Sequence, residues 1–181
     1  MYVFKSNADR ILQNCKGEYQ VIIRKDGYVL DVDVEETLKY SKEHLLCDCS
    51  EDRNLYAQIR GKFPKLTAFL AELGLLIDRP DETGSCAVND YIDYHFVSYT
   101  VIGNILESDK YEIDMFDGGM FLNIVIDNWY VPNEQKTDQY FTVTVYGMYL
   151  PWVLDEPFPE SVIPGKRISL LERIKKIFGW N

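Results

Sequence analysis

The sequence predicts an α+β fold: an N-terminal β-hairpin with helices, then an antiparallel β-meander packed against helices, closed by a C-terminal amphipathic helix. Three observations carry this. Asp26-Gly27 sits between two β-rich runs, Tyr19–Ile23 and Tyr28–Val32. Phe63, Leu66, Phe69, Leu70 and Leu73 recur at helical spacing. From Tyr91 to Tyr149 the apolar period falls to two, and prolines at 151, 157, 159 and 164 then interrupt regular structure.

Each element has its own local warrant. Ser6 with Asp9 forms a capping-box pattern ahead of Ile11, Leu12 and Cys15, which predicts a short helix near 7–16. Asp-Gly is a favoured two-residue hairpin turn, because both central positions need positive φ. A second helix follows over 35–46, with its acids first, as the positive end of the helix dipole prefers. A third, interrupted near Pro64, runs to Gly74, which suits the position just past a helix end. Leu75 to Cys86 reads as a loop around Asp78-Arg79-Pro80 and Gly84. Four strands are then expected at 91–102, 110–116, 120–130 and 139–149, with Gly118-Gly119 as a hairpin turn and Pro132-Asn133 opening a loop. A final amphipathic helix over 167–178 carries Ile168, Leu171, Ile174, Ile177 and Phe178, with Arg173, Lys175 and Lys176 beside them. Its expected role is to cap the core. The 181 residues suffice for a single domain. Its parts are a hairpin plus helices over 1–80, an acidic meander over 81–150, and a loop with the closing helix over 151–181.

Charge is distributed unevenly. Between Asp81 and Gly165 there are fifteen carboxylates and only two basic side chains, Lys110 and Lys136, whereas residues 1–80 are nearly balanced. Such a block argues against direct DNA binding, which needs clustered Lys and Arg to neutralise phosphates. It suits a cationic protein partner instead. No apolar run approaches the ~20 residues that span a bilayer. The N-terminus lacks a signal-peptide pattern, so the expected location is cytoplasmic, where four cysteines are thiols rather than a disulfide framework.

Strand alternation sorts the meander by face. Tyr111, Ile113, Met115, Leu122, Ile124, Ile126, Phe141, Val143 and Val145 should meet the helices. The opposite face should present Glu112, Asp114, Asp127, Trp129, Tyr140 and Tyr146, with Asn123, Val125, Thr142 and Thr144 between them. Tyr and Trp beside carboxylates give contact area at low entropy cost. These six residues are the candidate partner-binding set.

Other motifs point less far. His44, Cys47 and Cys49 could supply three zinc ligands, with Cys15 or Cys86 as the fourth, but Cys-x-Cys departs from the usual C-x₂₋₄-C spacing. Asp31, Asp33 and Glu35 alternate and could hold Mg²⁺, yet they equally form a polar strand face running into helix-start acids. Asp93 and His95 share a strand face without a nearby nucleophile. Glu134-x-Lys136 with Asp114, Asp117 or Asp127 resembles a nuclease arrangement only loosely. No Walker A loop, dinucleotide fingerprint or Gly-x-Ser-x-Gly occurs. The sequence therefore points away from an enzyme and implies no cofactor. It points to a small acidic interaction protein, an inhibitor or antidote of a basic, nucleic-acid-handling protein, of the counter-defence (anti-CRISPR or anti-restriction) or toxin-immunity type. Two alternatives stay open: a metal-dependent hydrolase or nuclease using the carboxylates, and a homodimeric assembly module that pairs through the same sheet face.

Overall fold

The structure, a computed structural model, describes residues 11–12, 20–109, 111–128 and 139–159. Among them lie nine strands and three helices, a mixed α+β arrangement built on an antiparallel sheet. The strands are β1 (Ile11–Leu12), β2 (Gln20–Lys25), β3 (Tyr28–Asp33), β4 (Glu82–Val88), β5 (Tyr91–Ser108), β6 (Ile113–Asp117), β7 (Met120–Asp127), β8 (Tyr140–Tyr146) and β9 (Met148–Pro151). The helices α1 (Val34–Glu43), α2 (Ser50–Gln58) and α3 (Pro64–Glu72) follow one another between β3 and β4. The sheet order is β1-β2-β3-β5-β8-β7-β6, with β4 and β9 also paired to β5.

Two predicted turns form as expected. Asp26 (φ 50°) and Gly27 (φ 89°) join β2 to β3, and Gly118 (φ 56°) and Gly119 (φ 81°) join β6 to β7. Positive φ at both central residues gives the turn a twist that matches the strands it connects. Asp33 caps α1, accepting the Glu36 N–H at 3.0 Å. Gly74 follows α3 at φ 83°, where an added Cβ would lie 2.4 Å from the Val34 carbonyl oxygen.

The eighteen-residue β5 organises the sheet. β4 pairs with its first half and β3 with its second, while β9 and β8 take 91–94 and 97–102. Leu55, Ile59, Phe63, Leu66, Leu70 and Leu73 from the helical segment are buried in one cluster with Val97, Tyr99, Val101, Phe141, Val143, Val145, Ile124 and Ile126 from the sheet. The register puts Val97, Val145 and Ile124 in one row across β5, β8 and β7. The apolar face read from strand alternation is thus the core face.

Several expectations are corrected. Ile11 and Leu12 form β1 against Val21 and Ile22 rather than part of a helix; cross-strand pairing outweighs the local capping pattern. The predicted loop at 75–86 contains the start of β4. The third helix is two helices, α2 and α3, the second beginning at Pro64, which needs no N–H there. Tyr111 does not join the core; it precedes β6 and is 81% exposed. The outer face is not uniformly solvated either. Val125, Thr142, Thr144, Ser98 and Thr100 are buried, with the Ser98 and Thr144 hydroxyls paired at 2.9 Å. The expected helix at 167–178 and the loop at Pro132 lie outside the described residues, as does the rest of the helix expected near 7–16. No helix among the described residues is long and apolar enough to cross a membrane.

Candidate functional site

Three neighbouring strands bring most of the predicted acidic and aromatic set onto one face. Asp114 on β6 lies opposite Asn123 on β7, which lies opposite Tyr146 on β8. Asn123 Nδ2 donates to Asp114 Oδ1 at 2.8 Å, so the carboxylate is held upright at the sheet surface. Two rows further along this face, past the buried Val125–Thr144 pair, Asp127 lies opposite Thr142, whose hydroxyl donates to Asp127 Oδ1 at 2.7 Å. Tyr140 occupies the next outward position on β8 and is half-buried. Glu112 is exposed just ahead of β6. Trp129 lies outside the described residues.

The electrostatics tie these residues together. Burial raises the Tyr146 phenol above its ordinary range, and the neighbouring Asp127 and Tyr111 raise it further. The Tyr28 phenol, also raised chiefly by burial, feels Asp127 and Glu112 as well. Tyr28 donates its hydroxyl to the Tyr111 carbonyl at 3.1 Å, pinning the segment that leads into β6. Glu112, Asp127, Tyr111 and Tyr146 therefore share one neighbourhood.

Sequence reasoning missed the most exposed part of this face. Phe116 and Phe121 are direct partners across the β6–β7 hairpin, with ring centroids 4.8 Å apart. They are 52% and 79% exposed. Phe116 alternates with Asp114, and Phe121 with Asn123, so extending the same period by one step would have found them. Large aromatic rings left in water next to carboxylates are unusual for a surface that is only solvated.

The predicted zinc group does not assemble. His44 ends α1 and stacks on Tyr40, and its two ring nitrogens lie 3.1 Å from the Tyr40 and Pro80 carbonyl oxygens. Both oxygens are acceptors, so a neutral ring, with its single N–H, donates to one of them. Cys47 and Cys49 instead meet Asp52, with ligand atoms within 4.8 Å of one another. Within this group Cys47 Sγ accepts the Cys49 N–H, and the buried Asp52 accepts the Thr83 hydroxyl. Burial, with Cys47 and Asp52 alongside, pushes the Cys49 thiol up to about 12. A second cluster, Cys86 with Asp93 and His95, satisfies the same distance condition.

Asp31, Asp33 and Asp117 sit apart from this face, and the latter two have structural tasks. Asp33 caps α1. Asp31 is half-buried and raised above its ordinary range, mainly by burial, and then by Asp33. Asp117 is buried and accepts the Lys65 and Leu66 N–H groups at 2.8 and 2.9 Å, which removes it from any nuclease-like set. Glu134 and Lys136 lie outside the described residues. No family model, no curated protein and no solved structure matches this chain.

Proposed function

We propose that this chain is an interaction protein that seats its outer sheet face in a cationic groove of another protein, and so acts as an inhibitor or antidote. The partner of best chemical fit is a nucleic-acid-handling protein, because carboxylates held on a rigid sheet can occupy Lys and Arg that would otherwise neutralise phosphates. Counter-defence and toxin immunity, acting in the cytoplasm, are the settings this reading favours. The observation that carries it is the exposed Phe116–Phe121 pair beside the Asp114–Asn123–Tyr146 row. Aromatic anchors bordered by charge are the usual make-up of an interface centre and its rim. The surrounding block adds fifteen carboxylates against two lysines, a strong bias towards cationic surfaces.

The test is affinity capture from the source cells with three baits: the wild type, Asp114→Lys with Asp127→Lys, and Phe121→Ser. A basic protein retained by the wild type and lost by both variants, at unchanged circular dichroism, supports the reading. Equal recovery by all three baits would overturn it. If the variants instead change the protein's own size in solution, the face serves a homodimer.

A further inference from the structure

We propose that Cys86, Asp93 and His95 form a binding site for one divalent cation of the Zn²⁺ class, with three protein ligands and a fourth position open to solvent. The site lies where β4 runs beside β5, away from the β6–β7 hairpin, and it does not depend on the docking function proposed above. Cys86 stands directly opposite Asp93 in the β4–β5 register. Two residues further along β5, His95 brings its ring beside the Asp93 carboxylate. The register steps from Gly84 opposite Phe96 to Ser85 opposite Tyr94, so His95 is the additional residue of a β-bulge. Bulges re-aim side chains and are frequent beside functional sites.

The distances suit a small ion. The Cys86 sulfur, an Asp93 oxygen and a His95 ring nitrogen all lie within 4.8 Å of one another. Asp93 Oδ2 and His95 Nδ1 are 3.3 Å apart. Two oxygen or nitrogen ligands each about 2.0–2.1 Å from a tetrahedral Zn²⁺ are separated by about that distance.

The donor set also selects the metal. One thiolate, one carboxylate and one imidazole match Zn²⁺, while Mg²⁺ and Ca²⁺ prefer oxygen alone. Thiolate and carboxylate together offset the dication's charge. The half-buried Cys86 and Asp93 sit beneath the exposed His95, so an ion can enter from water. Tyr149 lies opposite Asp93 on β9 and borders the remaining side. The Cys86 thiol has no hydrogen-bond partner among the described residues, whereas Cys47 Sγ accepts the Cys49 N–H and Asp52 accepts the Thr83 hydroxyl. A bound ion would join β4 to β5 by side chains as well as by backbone.

The test uses the full chain stripped with a chelator and then titrated with Zn²⁺ and, separately, with Co²⁺, whose thiolate charge-transfer absorption reports a cysteine ligand. One ion should bind, with the charge-transfer band, and Zn²⁺ should raise the melting temperature. Cys86→Ser should abolish the band. His95→Gln, at an exposed position, should weaken Zn²⁺ binding by more than about tenfold. The double variant Cys47→Ser with Cys49→Ser should keep both the band and the affinity. Absence of a band in the wild type, its survival in Cys86→Ser, or its loss in the Cys47/Cys49 variant instead would each overturn the assignment.

Discussion

At the scale of single residues, two carboxylates that look alike in sequence do opposite things. Asp117 belongs to the acidic block, yet it serves as the N-terminal cap that Phe63, the residue before α3, cannot provide. Its Oδ2 takes the Lys65 and Leu66 N–H groups across separations of fifty-two and fifty-one residues. Asp117→Ala should therefore cost about 2 kcal/mol, with Asp117→Asn costing less because an acceptor remains. Urea denaturation midpoints at neutral pH check this ordering. Asp81 accepts the Tyr40 hydroxyl and the Thr100 N–H, the latter at 2.7 Å, but burial holds its pKa above the usual carboxylate value near 3.8. With the folded pKa raised, the folded state binds the proton more tightly. The contribution is then full below the unfolded pKa and is lost as pH rises through the folded one. Relative to Asp81→Asn, the wild type should be favoured most at or below the ordinary carboxylate value near pH 3.8 and progressively less as the pH rises above it. Denaturation of both proteins across that range reads the difference, and a gap that widens with pH would refute it. Neither role is legible from local sequence, because both depend on partners brought close only by the fold.

At the scale of elements, periodicity and turn chemistry were enough for most of the sheet. Asp26-Gly27 and Gly118-Gly119 mark turns by their φ requirement, and alternation picks out the core face of β6, β7 and β8, although Val125, Thr142 and Thr144 on the opposite face are buried as well. What local pattern could not show was β4, whose Gly84, Ser85 and Cys86 carry little strand preference. Gly84 is there for a tertiary reason: a Cβ would lie 2.4 Å from the Phe96 ring. Without β4 in view, Cys86 could not be placed opposite Asp93, and the ligand cluster stayed hidden. The Phe116–Phe121 pair follows from the same alternation that places Asp114 and Asn123 on the outer face. The β6–β7 turn offers a direct contrast between backbone strain and steric conflict. At Gly119 an added methyl meets open space, so Gly119→Ala should cost only the left-handed conformation, about 1 kcal/mol. At Gly118 the methyl would approach the Lys62 carbonyl oxygen at 2.7 Å and the Phe63 ring at 2.6 Å. Gly118→Ala should cost at least about 2 kcal/mol, because β6–β7 must then move away from the start of α3. Equal midpoints for the two variants in urea would show that the hairpin does not pack there as described.

At the scale of the whole molecule, the unequal charge distribution makes ionic strength act in two directions at once. A formal net charge of −10 means that like charges repel within the compact state, most strongly where fifteen carboxylates face two lysines. Salt screens that repulsion, with a Debye length of about 10 Å at 0.1 M, so added NaCl should raise the melting temperature of the isolated protein. The same screening removes attraction to a cationic partner, so affinity for such a partner should fall over the same range. A protein that becomes more stable while its complex becomes weaker cannot be losing its partner through unfolding. The two kinds of side chain on the docking face should then separate kinetically. Asp114→Lys with Asp127→Lys should slow association and flatten its salt dependence, because those charges act over distance. Phe121→Ser should leave association and its salt slope nearly unchanged and speed dissociation instead, because the ring acts only in contact. Surface plasmon resonance at two salt concentrations, with melting curves recorded in the same buffers, distinguishes these outcomes. If both variants altered only the dissociation rate, the acidic block would have no steering role, and the docking face would reduce to its aromatic pair.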